Sequence, residues 1–182
     1  MLVCGQSEAR RQYSDLAPSH VLSIVTPGRS YLGPKDVAPE CHLKVEFDDV
    51  DDLALPGAPT LEMVQTIVTW VATLPETARL CIHGLQGVRR APAVGLGILA
   101  SCVSPVEAAA AALVPFCRHA PDPNRLVVRL FDEALEQGGA LIAACEARFV
   151  VSSATLCRRV QDDSGSFDFA MLAGDDKRAN QG

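Results

Sequence analysis

Residues 80–92 read Leu80-Cys81-Ile82-His83-Gly84-Leu85-Gln86-Gly87-Val88-Arg89-Arg90-Ala91-Pro92. An apolar run feeds a glycine-containing segment, residues 84–90, which opens onto the small apolar stretch Ala91 to Cys102. A strand, loop and buried helix in that order turn successive backbone N–H groups inward and add the partial positive charge of the helix N-terminus. The product is a concave site for a tetrahedral anion, with Leu85, Gln86, Gly87, Val88, Arg89 and Arg90 as its lining. Arg90 at the helix start supplies a planar fork for two anion oxygens. Pro92 suits the first helical turn, where its missing N–H costs nothing. The chemistry implied is phosphate or sulfate binding. A plain strand-to-helix turn with Arg90 in solvent is the simpler alternative.

Other residues carry less. Asp48, Asp49, Asp51 and Asp52 form an acidic turn that is either solvated or functional. His20, His42 and His119 are scattered without ligand spacing, so no metal site is expected, and no cofactor. Gly95-Leu96-Gly97-Ile98-Leu99-Ala100 fits a dinucleotide pattern, but it falls inside the expected helix rather than just after a strand. Close helix packing through small residues is the better account.

The elements that must position the loop follow from periodicity. Leu2-Val3-Cys4 is a short apolar start, and residues 7–16 are polar and helix-compatible. Val21 to Val25 reads as a buried strand ended by Thr26-Pro27-Gly28. Residues 29–39 read as loop, and His42 to Phe47 alternates at period two, as a half-buried strand does. Thr60 caps a helix expected to run to about Leu74, with Met63, Ile67, Trp70 and Val71 on one face. Arg79 to His83 is the strand before the loop. Further helices are expected from Ala91 to Cys102, about Pro105 to Cys117, Arg125 to about Gln137 under an Asn124 cap, and from Ala140 to about Ala147 or beyond. The fold class is α/β: a three-layer sandwich with a mainly parallel central sheet of four to five strands flanked by helices. Residues 1–150 form one domain, and 151–182 a polar tail.

Composition bounds the function. The net charge of −6 argues against a nucleic-acid binder. No apolar run reaches the ~18 residues that span a bilayer, and MLVCGQSEARR has no apolar core of a secretory signal. Seven cysteines at irregular spacing, with no Cys-x-x-Cys, suit reduced thiols and a cytoplasmic location. The oligomeric state is open.

The loop and its surroundings resemble the cysteine-dependent tyrosine and dual-specificity protein phosphatases, in particular their small bacterial members. Their signature is His-Cys-x-x-Gly-x-x-Arg-Ser/Thr, and here His83, Gly87 and Arg90 match in register. Gly84 stands where the nucleophilic cysteine belongs, and Ala91 where the hydroxyl follows. Residues 18–24, 47–50 and 120–125 also fall where that family has similar segments, so the resemblance covers about residues 1–147. It implies that Asp49, with Asp48 or Asp51 as neighbours, occupies the general-acid position. It also implies that the covalent route cannot run, because glycine offers no nucleophile and Ala91 no hydroxyl to help break down an intermediate. Cys4 and Arg10 repeat the bare cysteine–arginine spacing without the rest of the signature. The resemblance thus implies a pseudophosphatase that binds phosphate, sulfate or a phosphorylated protein or small molecule. Hydrolysis by Asp49-activated water or through Cys4, and a pure interaction module, are the alternatives.

Overall fold

The computed structural model describes residues 1–29, 31, 33, 34 and 37–149, without the side chains of residues 12–14. The expected tail therefore lies outside the described residues. Four strands, β1 (Leu2–Gly5), β2 (His20–Val25), β3 (His42–Glu46) and β4 (Leu80–Gly84), pair in the order β1-β4-β2-β3. Every pairing is parallel, with Leu2 opposite Cys81, His20 opposite Leu80 and Val21 opposite His42. The expected α/β sandwich stands, with four strands.

Period-two alternation sends neighbouring side chains to opposite faces. Leu2, Cys4, Val21 and Cys81 pack under α1 (Gln6–Leu16). Val3, Leu22, Ile24 and Ile82 join the larger core beneath α2 (Leu61–Ala72) and α3 (Arg90–Cys102). Outside α3 lie α4 (Val106–Leu113), α5 (Arg125–Ala134) and α6 (Ala140–Arg148). Helix α3 is buried almost all round because it runs between the sheet and these outer helices. Gly97 permits that: a Cβ there would stand 2.2 Å from the Phe131 ring. The Gly-x-Gly-x-x-Ala run is thus a packing surface.

Two helix ends differ from the sequence reading. The helix expected to reach Cys117 gives way after Leu113 to a 3-10 turn, Val114–Phe116, because Pro115 has no N–H to continue the α ladder. Helix α5 stops at Ala134 rather than Gln137. Asp132 accepts from the N–H groups of Gly139 (2.7 Å) and Leu141 (2.9 Å), capping α6, and Gly138 and Gly139 turn at φ 59° and 94°.

Candidate phosphate-binding site

The loop runs from the last residue of β4 to the first of α3. Its shape is fixed by where its carbonyls go. Leu85 O accepts from Gln6 N, Val88 O from Asp122 N, and Arg89 O from Asn124 N. Among the described residues, the N–H groups of Leu85, Gln86, Gly87 and Val88 donate to no backbone carbonyl. Gly87 brings the loop hard against the end of β1. Its φ is +75°, and a Cβ there would lie 2.3 Å from the Cys4 carbonyl carbon and the Gly5 nitrogen. Only glycine meets both demands.

The loop borders a cleft of about 470 Å³, its open solvent mouth included, lined by Thr26, Asp48, Asp49, Gly84, Leu85, Gln86, Gly87, Arg89, Arg90 and Ala91. The structure thus gathers most of the sequence-predicted site residues. Val88 is the exception among the loop residues: its carbonyl turns out to Asp122, and it does not line the cleft. Helix α3 begins at the cleft with no side-chain cap and no acidic residue in its first turn. A bound anion would meet uncapped N–H groups there.

The two arginines do different work. Arg90 is 7% exposed, not solvated. Its Nη1 donates to Phe47 O (2.6 Å) and its Nη2 to Thr26 Oγ1 (3.0 Å), so neutral oxygens at the ends of β3 and β2 hold the guanidinium in the cleft. Arg89, 8% exposed, turns to the acidic loop: Nε donates to Asp49 Oδ1 (3.1 Å) and Nη2 to Asp51 Oδ1 (2.7 Å). Asn124 Nδ2 reaches the same Asp49 oxygen at 2.8 Å and the Val50 carbonyl at 3.0 Å, while its Oδ1 caps α5 by accepting from Val127 N. The acidic turn is therefore clamped to the loop through Asp49 and Asp51, while Asp48 and Asp52 accept locally, from Asp49 N and Ala54 N. Thr26 and the second function of Asn124 escaped the sequence reading. The one available signal for Thr26 was its place just past a parallel strand, on the edge where α/β sheets bind ligands.

Gly84 lies on the floor of the cleft. A Cβ built there would find Ala91 Cβ and Ile24 Cβ at 3.9 Å and nothing nearer. The space of a side chain is present and unfilled. Cys4 offers no substitute. Its side chain is fully buried in the cluster under α1, where the hydrogen bond its thiol donates to Cys81 and burial push its pKa far above the ordinary range. His83 is buried, and among the described residues its Nδ1 has no hydrogen-bond partner.

No protein-family model matches this sequence, and no curated protein matches it. Solved structures do. Human DUSP28 superposes with a TM-score of 0.53 at 22% identity, over 76% of this chain and 94% of that one. A mouse putative dual specificity phosphatase complexed with zinc tungstate gives 0.52 at 19% identity, over 77% and 84%. Human tyrosine phosphatase-like serine/threonine/tyrosine-interacting protein gives 0.52 at 14% identity, over 74% and 87%. The fold is that of the dual-specificity phosphatases. Within this phosphatase fold, the 84–90 loop links the central strand β4 to the buried helix α3. Among the described residues no group of three or more His, Cys, Asp or Glu is placed to hold a metal ion.

Proposed function

We propose that this protein is a catalytically inactive, phosphatase-like domain that binds phosphate or a phosphorylated protein or small molecule through residues 84–90. The observation that carries the reading is the pairing of a vacant side-chain position at Gly84 with an intact cradle around it. Arg90 lines the cleft, the loop carbonyls are tied outward, and α3 starts there uncapped. Removing a thiolate also removes a negative charge that would face the ligand, so ground-state binding need not weaken. Two neighbours in the same fold favour this direction. One was crystallised with zinc tungstate, whose tungstate is a tetrahedral oxyanion, and another is named for interaction. Asp49, with its Oδ1 shared by Arg89 and Asn124, is better suited to bracing two loops than to passing a proton. Among the described residues no helix is long and apolar enough to cross a membrane, and we place the domain in the cytoplasm with its thiols reduced.

Calorimetric titration with phosphate, tungstate and phosphotyrosine tests the reading. Wild type should bind, and Arg90→Ala should lose binding. Equally poor binding by both overturns it in favour of an interaction module. Aryl phosphate hydrolysis by wild type that disappears in Asp49→Ala would instead reveal an enzyme.

A further inference from the structure

On the α1 side of the sheet, one residue before Gly84, four side chains meet in a buried polar cluster. His83 is 4% exposed, with Nε2 2.9 Å from Ser23 Oγ and 3.0 Å from Tyr31 Oη. Ser23 Oγ, fully buried, also lies 2.5 Å from Tyr31 Oη and 2.9 Å from His42 Nε2. The Tyr31 ring stacks on His83 at 5.7 Å. His42 is half-buried at the start of the edge strand β3.

Counting hydrogens orders this cluster. A hydroxyl has one proton to donate and two lone pairs, and Ser23 has three neighbours. With His42 neutral and accepting at Nε2, Ser23 donates to His42, Tyr31 donates to Ser23, and His83 donates from Nε2 to the two hydroxyls. Every proton then has an acceptor, and the unpartnered His83 Nδ1 is a lone pair. Protonated His42 must donate to Ser23, so the Ser23 proton has to turn towards His83 or Tyr31. In the first case His83 carries its proton on Nδ1, buried without an acceptor; in the second, Tyr31 loses its acceptor. Each alternative costs an unmet buried donor or a broken bond.

We propose that Ser23, Tyr31 and His42 are positioning residues that hold the His83 proton on Nε2, and that protonation of His42 reverses the Ser23 hydroxyl and disturbs His83 beside the phosphate loop. The groups facing the pair oppose that protonation. Burial and then Lys44, two residues along β3, lower the His42 pKa; burial, His42 and Arg10 of α1 lower that of His83 to about 4. Tyr31 faces both rings, with Cys81 and Arg10 in its own surroundings. His42, the less buried ring, takes the first proton.

Long-range 1H–15N spectra of the imidazoles in the full chain, followed from neutral pH down to about 5, read the tautomer directly. The expected result is a proton on His83 Nε2 at neutral pH, with His83 signals that shift as His42 titrates. In His42→Gln, whose side-chain oxygen accepts at every pH, His83 should keep the Nε2 proton throughout. In Ser23→Ala, His83 should cease to follow His42. A proton on Nδ1 at neutral pH, or an equal acid shift of His83 in His42→Gln, overturns the proposal. Should Ser23→Ala fail to fold, His42→Gln, at a half-buried edge position, decides by itself. The tautomer is read with no anion present, so a failure of phosphate binding leaves this test intact.

Discussion

Arg89 Nε donates to Asp49 Oδ1 across 3.1 Å, joining the 84–90 loop to the acidic loop after β3. Asp49→Ala takes the less exposed of two carboxylates from Arg89 and removes one acceptor from Asn124. The expected loss of stability is about 1–3 kcal/mol, read from urea denaturation. Asp51 is 54% exposed, and Asp51→Ala should cost no more than about 1 kcal/mol. Equal losses from the two variants would mean that Asp49 is no clamp.

Alanine at the two loop glycines should give opposite results. Gly84→Ala places its methyl in ordinary van der Waals contact with Ala91 and Ile24, so stability should hold or rise by up to about 1 kcal/mol. Gly87→Ala forces a Cβ into the backbone of Cys4 and Gly5 at positive φ, and should cost about 3 kcal/mol or more. Thermal melts of the pair are sufficient, and similar midpoints would refute the loop geometry.

Gly84→Cys sets a thiol at the N-terminus of α3, while Cys102 already sits exposed at the C-terminus of the same helix. The helix dipole favours a thiolate at the first. Iodoacetamide below neutral pH should therefore label the new cysteine much faster than Cys102, with the labelled peptides counted by mass spectrometry. If that thiol attacks an aryl phosphate, Ala91 gives no hydroxyl for breakdown of the adduct. A phosphorylated protein should accumulate in Gly84→Cys and turn over faster in Gly84→Cys/Ala91→Ser. Labelling no faster than Cys102 would show that the loop does not stabilise an anion.

His83 predicts a pH dependence of stability. Burial chiefly, with His42 and Arg10, lowers its pKa from 6.5 to about 4 in the folded protein. Between those values the unfolded chain binds the extra proton, so stability rises with pH, by at most about 3 kcal/mol from pH 4 to 6.5. Below pH 4 both states are protonated and this contribution is absent. Urea denaturation across that interval should show the slope in wild type, and His83→Gln should flatten it. An unchanged slope would assign the dependence elsewhere, with His42, whose pKa burial and Lys44 also lower, the next candidate. Burial alone would raise the Glu8 pKa, but the Gly5 N–H, His119 and Arg11 outweigh it and lower it. Its contribution is lost only as pH falls below the ordinary glutamate range.

What the sequence disclosed was local. The alternation over residues 42–47, the apolar run 21–25 and the Thr60 cap depend on neighbours a few residues away, and each element formed where expected. The run from His83 to Arg90 was readable because spacing alone encodes a strand, a loop and a helix start. Arg89 was not. Its carboxylate partners lie some forty positions upstream, so nothing adjacent distinguishes a clamped arginine from a solvated one. Arg90 is held by a threonine after β2 and a carbonyl after β3, brought together only by the strand order. The end of α5 was misjudged because its stop depends on Asp132 bonding forward to Gly139 and Leu141.

The outward bonds of the loop carbonyls, to Gln6, Asp122 and Asn124, have a kinetic side. Those contacts join the first residues of the chain, its middle and its last third, and contacts of such long sequence separation are slow to close. An intermediate with its helices formed but β1 undocked from β4 would have the secondary structure without the cradle. During refolding, the phosphate affinity proposed above should therefore return after the helical signal, making the cleft around Gly84 a late reporter of a fully assembled chain.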